Sequence, residues 1–352
     1  MDVTVVLFHT FENLINFSFS KKNKYLILAT EKSKIDLDEL NKKDIEYYGA
    51  IFPKLIFKDK IIEDGYLVFL LKNNSQIEFI ENMNNHNFSN SNINDFNSFI
   101  TIVDGFSEHN VSFLEDLFEC TNINTNIIGG GAGSFNKNIK KYLFSSTGFY
   151  KDSSIIVKIN NSIDICVSNG WEVLAGPFVV TASNGKRLEE LDYENAFEIY
   201  KKVIEKDKNI DFDINDFLNI VKDYPLGIVR LNKDYILRDP INLDNNNIEL
   251  AGDIEKSSVI NILKAKKSDL LDSTFKISND VLKNGAKHLM IFECASRLEY
   301  LSSNYINQLE KIENNEKIKS LFGVISIGEI ANCGDNYINF LNKSCVMGGI
   351  CH

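Results

Sequence analysis

Apolar positions along this chain follow two periods, and the period switches at intervals. FITIVD at 99–104 and HLMIFEC at 288–294 are short, nearly continuous apolar runs of strand length. After each comes a stretch with helical spacing. SFLEDLFEC at 112–120 follows the first, and LSSNYINQLEKI at 301–312 the second, with Leu301, Tyr305, Leu309 and Ile312 on one face. A second apolar strand marked by glycine then appears in each case, within IIGGGAGS at 127–134 and SLFGVISIGEI at 320–330. Two alternating runs close each unit and predict a strand pair: KYLFSSTG with SSIIVKI, and NYINFL with SCVMGGI. A degenerate third copy runs from KYLILAT at 24–30 through YYGAIFPKLIF at 47–57 to YLVFLL at 66–71.

The pattern therefore predicts a mixed α/β protein of the α+β class. Internally duplicated strand-helix-strand-hairpin units form β-sheets flanked by helices. Two further helices are expected. One carries Tyr193, Ala196, Phe197, Tyr200, Val203 and Ile204; the other carries Leu271, Phe275 and Leu282, with Ser268 as N-cap and Gly285 as its stop. The asparagine-rich stretch at 82–97 reads as a flexible surface insertion.

Composition narrows the function classes. The 352 residues are 44% hydrophobic and 25% charged, an ordinary globular balance with room for two domains. A net charge of −11 opposes binding to a phosphate backbone, and KKNK at 21–24 and KNIKK at 137–141 read as solvated loops. The start of the chain shows no export signal and no apolar run is long enough to span a bilayer, so a cytoplasmic, soluble protein is expected. The six cysteines have no C-x-x-C spacing and are expected to be free thiols. Cys351-His352 gives only slight support to a zinc site.

Several segments resemble the FIST N and FIST C sensory domains. They are IIGGGAGS, NGWEVLAGPFVVTASNGKRLEELDYENAFEIYKKVI at 169–204, YPLGIVRL at 224–231 with ILRDP at 236–240, FECASR at 292–297 and LFGVISIGEIAN at 321–332. The resemblance implies a FIST N-like domain at 1–190, containing the 82–97 insertion, and a FIST C-like domain at 191–352. It implies an intracellular, non-enzymatic sensor for a small ligand such as an amino acid. The chain carries no appended output domain, so the signal would pass to a separate partner such as a histidine kinase. Some relatives resemble haem-binding nitric oxide sensors, which makes haem the alternative ligand. Relatives often carry histidine where this chain has Asn169, and their glycine motif continues into aspartate where this chain has Ser134. The first departure removes one possible haem ligand and weakens the haem reading.

Candidate ligand-binding residues follow from chemistry. Gly130, Gly131 and Gly133 could let backbone N–H groups line a cavity or could serve a tight strand crossing; no Lys-Ser or Lys-Thr follows to make a phosphate loop. Glu329 stands among apolar residues and needs a partner or a proton, and Arg297 is the natural partner in the same unit. An amino-acid ligand between a carboxylate and an arginine fork is the alternative. Arg238 could orient a ligand carboxylate or stabilise a turn beside Asp239. Trp171, the sole tryptophan, suits a pocket wall or a core anchor. Cys294 follows a strand where nucleophiles sit, so a thiol hydrolase is a third reading, although no histidine lies in a partner motif. For haem, His109 is the first axial candidate, and His352 serves only if the tail folds back.

Overall fold

In the computed structural model, the described residues are 3–72, 74–86, 88, 95–168, 170–230, 235–332 and 337–351. Asn169, Cys333 and His352 therefore lie outside them. Three six-stranded sheets are built on one plan. Each has a central parallel pair, formed by Lys24–Thr30 with Glu46–Phe52, Ser98–Asp104 with Asn126–Ala132, and His288–Cys294 with Ser320–Ser326. An antiparallel return strand flanks the first member of each pair: Tyr66–Leu71, Ser154–Ile159 and Cys345–Ile350. The copy at 24–71, degenerate in sequence, is as regular as the others.

One glycine marks the equivalent position in all three. Gly49 pairs with Ile27, Gly129 with Thr101 and Gly323 with Ile291. A Cβ there would stand 2.5, 1.7 and 1.9 Å from the partner's carbonyl oxygen. The parallel strands approach too closely for any side chain at that point.

The expected strand pairs do not form within their own units. The strand after each glycine strand crosses to a neighbouring sheet. Lys54–Phe57 joins Ser320–Ser326, Leu143–Ser145 joins Glu46–Phe52, and Glu329–Ala331 joins Asn126–Ala132. The strand after each return strand crosses likewise. Gln76–Ile80 joins Ser154–Ile159, and Ile163–Ser168 joins Cys345–Ile350. Val3–Phe8 completes the cycle on Tyr66–Leu71. The reason is burial. Leu26 and Leu28, Ile100 and Ile102, and Met290 and Phe292 share one core, while Ile27, Val103 and Ile291 alternate into separate cores. Sheets apolar on both faces must be covered on both. Lending a strand to each neighbour closes one face inward and covers sheet edges as well.

Helices cover the outward faces. Asn110–Cys120 packs Phe113, Leu114 and Leu117 over the second unit. In the third unit, the helical stretch breaks at Ser302 (φ 54°) into Ala295–Leu301 and Asn304–Glu313, the latter burying Tyr305, Leu309 and Ile312. The 82–97 insertion is not wholly solvated: Met83, Phe88 and Phe96 are buried against Phe113 and Leu117. Ser268 lies within the first turn of Lys267–Asp280, whose N-cap is Lys266. Tyr193 is 86% exposed and precedes the helix Ala196–Lys208.

A fourth, eight-stranded sheet is inserted between the second and third units, from Glu172–Asn184 to Val259–Lys264. Residue 190 lies within its strand Arg187–Leu191. Phe197, Tyr200, Leu226, Ile260 and Ile262 form its own core, while Leu237 and Leu263 pack with Trp171, Leu289 and Ile291 of the third unit. Among the described residues no helix is long and apolar enough to cross a membrane.

Candidate functional site

The three units end alike. As each first strand finishes, a backbone N–H bonds across to the start of the return strand: Thr30 to Gly65 O, Asp104 to Ser153 O and Cys294 to Ser344 O, at 3.1, 3.0 and 3.2 Å. Thr30, Asp104 and Cys294 are thus equivalent positions at the carboxyl ends of the parallel strands. In such sheets, ligands bind beyond those ends.

The third end is closed by the inserted sheet and holds most of the residues singled out from sequence. Cys294 Sγ accepts from Lys343 N at 3.2 Å and lies 3.2 Å from Ser296 Oγ. Burial pushes its thiol up to about 12, so it is a poor nucleophile. Lys343 is fully buried, donates Nζ to Lys222 O at 2.9 Å and stands 3.3 Å from Asp239 Oδ2. Trp171 Nε1 donates to Lys343 O at 3.1 Å, and the Lys343 ammonium lies 5.9 Å from the Trp171 ring centroid. Tryptophan, lysine and aspartate together rivet the insert to the third unit.

Glu329 is fully buried but is not paired with Arg297. Its carboxyl accepts from Ser326 Oγ at 2.9 Å and Ser344 Oγ at 2.8 Å, and burial holds it well above the usual carboxylate range. Arg297 instead pairs with Glu293 at 2.5 Å and donates to Leu270 O and Thr274 Oγ1 at 2.7 Å each. Glu293 lies at the end of the strand His288–Cys294 and Arg297 in the first turn of the helix Ala295–Leu301, so the tight strand-to-helix turn brings the two side chains together. The sequence reading passed over Glu293 because it sits inside an apolar run. Arg238 donates to Asp253 O and Leu237 O, which is a turn-holding role, and burial lowers it to about 10.

The glycine motif is a strand crossing. Gly130 pairs with Glu329, Gly131 N donates to Gly328 O at 2.9 Å, and Gly133 N donates to Ile51 O at 2.8 Å. A Cβ on Gly131 would lie 2.1 Å from Ile327 O. His109 sits half-buried ahead of the helix Asn110–Cys120 and makes no side-chain cap. Among the described residues no group of three or more His, Cys, Asp or Glu could hold a metal ion.

Open space lies at the other two ends. Beyond the second unit, a cleft of about 570 Å³ is lined by Asp104, Phe106, Ser134, Tyr142, Lys137, Lys140 and Lys151, among others. Phe106 is 51% exposed, and its ring lies 5.5 Å from that of Tyr142. Asp104 is committed to structure, accepting from Phe106 N and Asp152 N. Lys151 lies 3.3 Å from Asp152, whereas Lys137 and Lys140 have no ion-pair partner among the described residues. Beyond the first unit, a cleft of about 420 Å³ is lined by Ser33, Ile35, Ile51, Ile139, Lys140 and Phe149, among others. None of the eight sequence-predicted binding residues lines either cleft. The KNIKK stretch, read as solvated loop, borders both.

Comparison with protein families matches residues 37–194 to the FIST N domain and 196–332 to the FIST C domain. The chain belongs to the FIST family. FIST domains are sensory signalling modules without catalytic function, and this FIST protein takes that general role. Comparison with curated proteins finds no match. The two FIST matches meet inside the inserted sheet, and both matched regions contribute strands to the ring: Lys54–Phe57 lies in the sheet of the third unit and Glu329–Ala331 in that of the second.

Proposed function

We propose that this FIST protein senses a small organic anion with an apolar body, a class that includes amino acids with apolar side chains, and that the ligand enters the cleft beyond the second unit. One observation carries the reading. At the carboxyl end of a parallel pair, the exposed ring of Phe106, backed by the buried Tyr142, stands beside two lysines without ion-pair partners among the described residues. Apolar area with a few convergent charges is the composition of a small-molecule site. A buried ligand bridging Glu329 and Arg297 is not retained, because Glu293 already occupies the arginine. The signal is read by a separate cytoplasmic partner, for which a histidine kinase is the expectation from family resemblance.

A thermal-shift screen of amino acids, organic acids and matched amines tests this. Ligand at about 100 times its dissociation constant adds about 2.7 kcal/mol of stability, and acids should score above amines. Replacing Lys137 and Lys140 by alanine together should erase the shift. A broad acid panel without a hit, or hits indifferent to both lysines, would overturn the proposal.

A further inference from the structure

The crossover after each glycine strand differs in length among the units. Pro53 alone joins Glu46–Phe52 to Lys54–Phe57, and Ile327-Gly328 join Ser320–Ser326 to Glu329–Ala331. In the second unit, residues 133–142 do the same work between Asn126–Ala132 and Leu143–Ser145. Those additional residues form the wall shared by both clefts, and Lys140 lines each. Loops kept long where the topology needs one or two residues are commonly functional.

This wall is held by a carboxylate from the first unit. A single oxygen of Glu31, Oε2, accepts from Ser134 Oγ at 2.6 Å, Phe135 N at 2.7 Å and Asn136 N at 3.2 Å. Successive backbone N–H groups converging with a hydroxyl form an anion-binding nest. Ser134 and Asn136 also line the larger cleft. An anion site thus opens beside the unpaired lysines and is filled from within.

We infer that Glu31 is an internal surrogate for the ligand. A carboxylate entering the cleft displaces it from the Ser134–Asn136 nest, lays its apolar body on Phe106 and Tyr142, and loosens the 134–136 segment of the crossover from the first unit, while Gly133 and Tyr142 stay bonded to Ile51. The inference rests on the cleft assignment above and adds to it the anchoring group and the competitor. Release has structural reach, because the crossover starts in the sheet of the second unit and ends in that of the first.

Phenylacetate, an aromatic carboxylate, is the probe, with benzyl alcohol as its neutral analogue; calorimetry on the full chain reads affinity. Glu31→Ala empties the nest, whereas Glu31→Gln removes the charge but leaves an acceptor oxygen in place. Glu31→Ala should bind phenylacetate about tenfold more tightly than wild type, the worth of about 1.4 kcal/mol. Glu31→Gln should gain clearly less, and benzyl alcohol should gain with neither. Equal gains in both variants would reduce the effect to general electrostatics and overturn the inference, as would no gain in either. Adding Ser134→Ala to Glu31→Ala removes a nest donor and should cancel the gain; a retained gain also overturns it. If Glu31→Ala fails to fold, Glu31→Asp decides, since the shorter carboxylate keeps the charge but reaches the nest less well: phenylacetate should bind more tightly to it than to wild type, and an unchanged affinity overturns the inference. The double variant Lys137→Ala with Lys140→Ala separates this inference from its parent. Weakened binding in the double variant with identical Glu31 variants leaves the cleft standing and the surrogate refuted, while binding indifferent to both lysines removes the cleft itself.

Discussion

Glu329→Gln tests the electrostatics of the sealed end. The wild-type carboxyl has two serine hydroxyls for partners and no cation, and burial raises its pKa far above that of the unfolded chain. Folding therefore takes up a proton at this site. The corresponding stability is complete below the unfolded carboxyl range and drains away as pH rises toward the folded value. One proton linked to folding gives a slope of about 1.4 kcal/mol per pH unit. Glutamine keeps the shape and both kinds of hydrogen bond but takes up no proton. Asp239 and Glu293 are also buried carboxyls shifted upward, and they remain in both proteins, so the difference isolates Glu329. Urea denaturation at pH values stepped upward from the unfolded carboxyl range should show wild type losing stability relative to Glu329→Gln as pH rises, with that proton-linked slope as the upper limit. Parallel stability curves would mean that Glu329 is ionised in the folded protein, and the account of a neutral buried acid would be wrong.

Arg297→Met leaves Glu293 as an unpaired buried charge and should cost about 3–5 kcal/mol in denaturant melts; Glu293→Leu added to it should recover much of the loss, and no recovery would show that the pair is not what the arginine serves. Gly129→Ala and Gly323→Ala each force a Cβ onto a carbonyl oxygen of the parallel neighbour, so each should lose about 3 kcal/mol, the upper range of overpacking. A loss confined to one of them would break the equivalence of the units. At neutral pH, iodoacetamide should modify the partly exposed Cys120, Cys166 and Cys351 well before Cys294; fast labelling of Cys294, followed by peptide mass spectrometry, would reopen the thiol reading.

Local signals carried the fold a long way. The short continuous apolar runs KYLILAT, FITIVD and HLMIFEC and the glycine after each helix are imposed by a strand buried on both faces and by its nearest neighbour, so three repeats are legible in the chain. Strand exchange is not, because nothing in KYLFS says which parallel pair it will join; that choice is made by long-range burial. The 82–97 stretch is hard to read for a related reason. Its asparagines dominate the composition, yet three widely spaced apolar residues dock on the helix Asn110–Cys120. The site was less legible still. Lys343 is a lysine in a polar hairpin sequence, at φ 54°, and only the insert above it explains its burial. KNIKK resembles any exposed basic loop until the clefts on either side are seen. The Glu293–Arg297 pair depends on the strand-to-helix turn between them, and the one legible sign of it is a carboxylate inside an apolar run just ahead of an arginine.

The asymmetry among three equivalent ends suggests how sensing and output divide. At the third end, Lys343 and Trp171 fasten the insert from both sides of the same backbone segment, and the two-residue crossover Ile327-Gly328 packs against the glycine motif. That end has no slack. At the second end, Ile139 is the apolar anchor of the long crossover, packed against the central core shared by the three units and the outer core of the first, while the lysines around it have no ion-pair partner among the described residues. Under the proposed function, a ligand that pulls the crossover therefore moves an anchor shared by both cores of the first sheet, against a frame pinned at the third. Because each sheet contains a strand lent by another unit, the displacement cannot stay local. The faces of the first and second units near Phe149 and Phe106 are where a partner would find a ligand-dependent surface, and the riveted insert is where it would find a constant one.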